Sequence, residues 1–134
     1  MMYTRLLLPL IPLLFIGAVQ ADVCTNATTQ GDINQCAAQE TKAADKELNS
    51  LYKQITARLK DNAEAKQLLV KAQRAWIDFR DAECSFSASG AEGGSVYPMI
   101  QNDCITALTK ARVEAFKTYL NCEEGDLSCP VPGA

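Results

Sequence analysis

The sequence predicts an all-α protein, an antiparallel bundle of three long helices at about 29–60, 62–84 and 96–121, with disulfide staples and an irregular C-terminal tail. Three observations lead there. Apolar residues recur at steps of three and four along three separate stretches, which is the spacing of one helix face. No segment alternates with a two-residue period, and no internal repeat is present. The chain holds 6 cysteines and no histidine, and in a small exported domain an even cysteine count reads as a disulfide framework.

Residues 1–21 read as a signal peptide: Arg5 is followed by an apolar run from Leu6 to Ile16 and the small-residue stretch Gly17-Ala18-Val19-Gln20-Ala21. The run is shorter than the roughly twenty residues a membrane span needs. Residues 22–134 are expected to form one domain. Cys24 follows Asp22-Val23 rather than the small residues of a lipoprotein signal. The expectation is a protein of the periplasm or the medium, with no membrane insertion once the signal is cleaved.

Thr29-Gln30-Gly31-Asp32 resembles a capping box. Ile33, Ala37, Ala44, Leu48, Leu51, Tyr52, Ile55 and Leu59 then mark the first helix. Asp61-Asn62-Ala63-Glu64 is a second box, so a new helix starts there, and the short joint predicts antiparallel neighbours. Its stripe is Ala65, Leu68, Leu69, Ala72, Trp76 and Phe79, ending near Cys84. Serines and glycines interrupt the pattern over Ser85–Gly94. Ser95 is a good N-cap for the third helix, and Pro98 is tolerated in a first turn. The third stripe is Tyr97, Ile100, Cys104, Leu108, Ala111, Ala115 and Tyr119. Gly125 and Pro130 make the remainder a loop, tied by Cys122 and Cys129.

Folding the chain at Asp61 gathers Cys24, Cys36, Cys84 and Cys104 at the end where the glycine-rich loop sits. Two pairings satisfy that geometry equally: Cys24 with Cys36 and Cys84 with Cys104, or Cys36 with Cys84 and Cys24 with Cys104. Either adds about 2–4 kcal/mol per bridge by restricting the unfolded chain.

The formal net charge is -3, with basic residues scattered among acids. That argues against nucleic acid and favours cationic partners. Projection onto helical wheels sets Asp45, Gln73, Arg80, Glu83 and Arg112 beside the apolar stripes. Asp45 and Arg112 should meet at one height, and Arg80 can pair with Glu83 one turn away. These residues read as a structural network that fixes helix register, with no pocket expected between closely spaced helices.

No chemistry stands out. Without histidine there is no nucleophile–base pair, and there is no Cys-x-x-Cys metal motif and no phosphate loop. Asp78, Asp81 and Glu83 point to different faces of one helix, whereas glycosidase chemistry needs two carboxylates facing across a cleft. The chain is read as a non-enzyme with neither metal nor cofactor. The candidate binding element is the small, polar loop on its stapled frame: Ser89, Glu92, Gly93, Gly94, Ser95 and Tyr97.

Thr29-Gln30 with Asn34-Gln35-Cys36, Ala44-Asp45-Lys46-Glu47-Leu48-Asn49 with Tyr52, Ala72 to Cys84 and Gly93-Gly94-Ser95 with Cys104 resemble the LprI-type family of exported bacterial proteins. The motifs keep their order over about 24–122. The resemblance implies a lysozyme-inhibitor-like protein that occludes a muramidase by surface contact, its partner a cationic lysozyme-type protein. The alternative it leaves open is a non-inhibitory envelope module, structural or stress-related, that binds another protein. The lipid anchor of the member that gave the family its name does not carry over. Nor does the Ser-Gly-x-x-Tyr loop of other lysozyme inhibitors, since Ser89-Gly90 has no tyrosine at that spacing.

Overall fold

The computed structural model describes residues 23–134, and the signal-peptide reading of residues 1–21 lies outside them. A 3-10 turn, Val23–Asn26, leads into three helices: α1 (Gln30–Arg58), α2 (Ala63–Ala88) and α3 (Tyr97–Leu120). No strand occurs among the described residues. No helix among them is long and apolar enough to cross a membrane.

Side-chain caps start the first two helices. The Thr29 hydroxyl accepts from the Asp32 N–H at 3.1 Å, and Asn62, rather than Asp61, accepts from the Ala65 N–H at 3.1 Å. α3 differs from expectation, because Val96 stands at its N-cap with no side-chain bond. Ser95 instead gives its carbonyl to the Asn34 amide at 2.9 Å, tying the start of α3 to α1.

α2 outlasts its expected end near Cys84 by a full turn. Serine, alanine and phenylalanine do not break a helix; Gly90 does. Continuing to Ala88 also buries it below Cys84, one turn away on the same face.

Consecutive helices run antiparallel, which leaves α1 and α3 parallel. Asn34 meets Ser95 at one end, and Arg58 donates to the Leu120 carbonyl at 2.8 Å at the other. The joint at residues 59–62 does not make α1 and α2 the closest pair; α3 lies along α1 and also receives α2. Small side chains explain this. Ala37, Thr41 and Ala44 let α3 approach, and the Thr41 hydroxyl bonds Thr106 at 2.8 Å and the Asn102 carbonyl at 3.2 Å.

The core therefore lies mainly between α1 and α3: Leu48, Ile55 and Leu59 face Val113 and Phe116. Tyr52 tilts over Phe116 at 6.3 Å between ring centroids. The buried face of α3 is Thr106, Thr109, Val113 and Phe116, rotated from the expected stripe, and Ala111 is exposed. α2 is rotated too. It buries Gln73, Cys84 and Ala88, whereas Leu68 is 62% and Phe79 56% exposed. Two tethers to α3 set that rotation: the Cys84–Cys104 disulfide and the Gln73–Arg112 hydrogen bond.

The disulfides take the local pairing, Cys24–Cys36 and Cys84–Cys104, with Cys122–Cys129 in the tail. Gly125, at φ +85°, turns the tail back, and Val131 inserts against the core at 5% exposure.

Candidate functional site

The loop residues singled out in the sequence are contiguous at one end of the bundle. Ser89 opens a 3-10 turn, Ser89–Ala91, that prolongs α2, and its hydroxyl donates to the Phe86 carbonyl at 2.7 Å. Glu92 follows with extended backbone, and Gly93 then takes φ +81°, a left-handed value that other residues adopt at a cost. Gly94 closes the turn by donating to the Ala91 carbonyl at 2.9 Å. A Cβ there would sit 3.1 Å from that same oxygen, so the position favours glycine.

Ser89, Glu92, Gly93, Gly94 and Ser95 are exposed, and Tyr97 is half-buried as the first residue of α3. Three ties hold this end. Cys84–Cys104 links the last turns of α2 to α3, Cys24–Cys36 folds the N-terminal turn onto α1, and Asn34 holds Ser95. The arrangement presents backbone groups and one carboxylate on a fixed base. Nearby Phe86 adds an aromatic ring at 76% exposure.

The polar residues expected as a network separate into two pairs with different partners from those expected. Asp45 meets Arg80, not Arg112, with Nη1 to Oδ1 at 3.0 Å. Arg80 pairs through Nε with Asp81 at 3.0 Å rather than with Glu83, which is exposed and forms no ion pair among the described residues. Arg80 also lies 5.2 Å from the centre of the Trp76 ring and reaches the Thr109 hydroxyl at 3.4 Å.

Arg112 donates through Nε to the Gln73 amide oxygen at 3.0 Å. Its guanidinium lies 4.6 Å from the Phe116 ring centre and 5.8 Å from that of Trp76. Burial pushes its pKa down from the usual arginine value, only partly offset by Tyr119. The partners differ from the wheel projection because a wheel fixes height and face but not the tilt of α2. With α2 docked through Cys84 and Gln73, Arg80 reaches α1, and Arg112 stays beneath Gln73.

Because the backbones of α1 and α2 stand further from each other than either does from α3, a groove opens between them above α3. It has a volume of about 240 Å³, and Ile55, Leu59, Leu69, Tyr119, Val131 and Arg112 are among its walls. The apolar pattern gave no sign of it, since a helical stripe reports a buried face without saying how far its neighbour stands off.

The arrangement offers exposed loop and groove surfaces. Comparisons with known proteins agree with one another. The family model described as lysozyme inhibitor LprI matches residues 22–116. The chain is 37% identical over 112 residues to an uncharacterised protein of Rhizobium meliloti (strain 1021), covering 75% of this chain and 81% of that protein. It is 30% identical over 125 residues to the uncharacterised protein YecT of Escherichia coli (strain K12), covering 81% of this chain and 77% of YecT. Among solved structures, a DUF1311 family protein from Pseudomonas putida KT2440 aligns with a TM-score of 0.61 at 27% identity, covering 68% of this chain and 92% of that one.

Proposed function

Because the chain belongs to the LprI family, we propose that it is an exported inhibitor of lysozyme-type muramidases, acting by surface occlusion and doing no chemistry of its own. One observation supports this above the others. The loop Ser89–Tyr97 is largely exposed yet braced by the Cys84–Cys104 disulfide and the Asn34–Ser95 bond, so little conformational freedom is lost when it docks. In this reading Glu92 faces the cationic rim of the enzyme cleft, and Gly93-Gly94 let the two backbones approach closely. The chain's net charge of -3 speeds encounter with a basic partner more than it strengthens the final complex. Three disulfides fit the oxidising compartment that a signal peptide at residues 1–21 would lead to.

The test is turnover of cell-wall substrate by a basic lysozyme with the protein added in micromolar excess at low salt. Inhibition that weakens as salt rises is the expected result. Unchanged turnover at every ratio overturns the proposal.

A second reading has its own observation. On α2, Leu68, Phe79 and Phe86 are 62%, 56% and 76% exposed, at spacings that place them on one side of the helix. Apolar surface of this kind marks protein contacts. A non-inhibitory envelope module, structural or stress-related, would use this face rather than the loop. Capture from periplasmic extract separates the two, since only an inhibitor retains a muramidase as its main catch.

A further inference from the structure

Arg112 is held unlike the other arginines built into the bundle. Arg80 has two carboxylates, and Arg58 has the Leu120 carbonyl at the end of α3. Arg112 spends only its Nε, on Gln73. Among the described residues no carboxylate forms an ion pair with it, and no atom accepts from its Nη groups. Two aromatic faces offset part of the lost hydration. Burial also lowers its pKa from the usual arginine value, in the direction of a partial offset. An anion on the Nη groups would supply the acceptor that the protein does not.

The space beside Arg112 is apolar. A groove of about 240 Å³ has Arg112 in its lining; the buried Ile55, Leu59 and Val131 lie beneath it, and Leu68, Leu69, Ala72 and Tyr119 supply its open apolar surface. A cavity of about 150 Å³ holds one benzene, so this one takes about eight to ten carbons. One uncompensated positive charge at the edge of such a space matches one negative charge on an apolar body. The two parallel N–H directions of a guanidinium match the two oxygens of a carboxylate. A dianionic phosphate would bring a second charge into the groove with no partner.

We propose that this groove binds a small amphiphilic carboxylate, its head group on the Nη donors of Arg112 and its apolar part on Leu68, Leu69, Ala72 and Tyr119. The site lies at the opposite end of α2 from the Ser89–Tyr97 loop, so it stands whether or not the chain inhibits a muramidase.

The protein has 1 tryptophan, Trp76, whose ring the Arg112 guanidinium approaches. Its emission therefore reports on the site. Decanoate, below its micelle concentration, is titrated into the full disulfide-bonded protein while emission and heat are recorded, with decanol and acetate as controls. Decanoate saturates at a one-to-one ratio, and each control binds at least about tenfold more weakly, since a hydrogen bond to a charged group is commonly worth that factor or more. Arg112→Gln loses the decanoate signal by a similar factor. Leu68 is 62% exposed at the groove mouth, so Leu68→Glu leaves the fold intact and weakens decanoate by charge repulsion, which keeps the test alive if Arg112→Gln does not fold. No saturable response, decanol equal to decanoate, or undiminished binding by a folded variant overturns the site.

Discussion

Asp45 on α1 and Arg80 on α2 form an ion pair of 3.0 Å across two helices whose backbones stand well apart. The Arg80 side chain is 13% exposed and that of Asp45 42%, so the pair is half in water. Its effect is to set the spacing of α1 and α2 above α3 rather than to supply most of the stability.

Asp45→Ala is accordingly expected to cost about 0.5–1 kcal/mol, the range of a partly exposed pair. Arg80→Ala loses Asp45, Thr109 and the stack on Trp76 together, and should cost about 2–3 kcal/mol. Urea unfolding of both variants checks this. Under the proposed function, any lysozyme binding by Asp45→Ala should match the parent, because the loop end is untouched; an equally stable variant that no longer binds would make Asp45 a contact residue.

Phe116 and Phe86 make a paired contrast. Phe116 is 0% exposed between Tyr52 and Arg112, so Phe116→Ala should cost about 3–5 kcal/mol. Phe86 is 76% exposed, and Phe86→Ser should stay within about 0.5 kcal/mol. Denaturation midpoints decide. A large loss at Phe86 would mean its ring is covered, as by a second molecule.

The disulfides should rank by the chain they close. Cys84–Cys104 spans 20 residues and Cys122–Cys129 spans 7. Replacing the first pair by alanine should cost about 3 kcal/mol and the second about 2 kcal/mol. Loss of the first should also open the Ser89–Ser95 turn to proteases. Thermal melts and limited digestion under non-reducing conditions test both effects.

The Asp126 carboxylate is held below the ordinary aspartate range by the Ser128 hydroxyl and N–H, both of which donate to it. A carboxylate with a depressed folded-state pKa stabilises the fold above its unfolded value, and that contribution disappears as pH falls through the folded one. Ser128→Ala should move the Asp126 carboxyl titration upward, as read by carbon NMR. An unchanged titration would mean that the hydroxyl does not hold the turn.

The helices were legible in sequence because their signals are local. Thr29 caps α1, the Asp61-Asn62 box marks the second start, and Cys122 and Cys129 are near enough in sequence to find each other. Facing depends on what arrives from far away, so it was harder to read. On α3, helices approach from two sides, and the polar-looking Thr106 and Thr109 turned out to be core residues with hydroxyls satisfied by Thr41 and Arg80. On α2, Leu68 and Phe79 follow the helical period yet face water. The choice between two disulfide pairings rested on the Val23–Asn26 turn, which lays Cys24 beside Cys36. Val131 carries no periodic signal, being a single residue beyond Pro130 that fills the core. Composition marks the loop residues but not their bracing by Asn34, since an asparagine on a helix surface looks solvated.

The Ser89–Tyr97 loop is the proposed contact surface for a muramidase. Amide hydrogen exchange of the protein with and without a basic lysozyme measures this directly. Protection concentrated in Ser89–Tyr97, and lost with Glu92→Lys, is the predicted result. Protection along the Leu68–Phe86 face of α2 instead, or none anywhere, would contradict it.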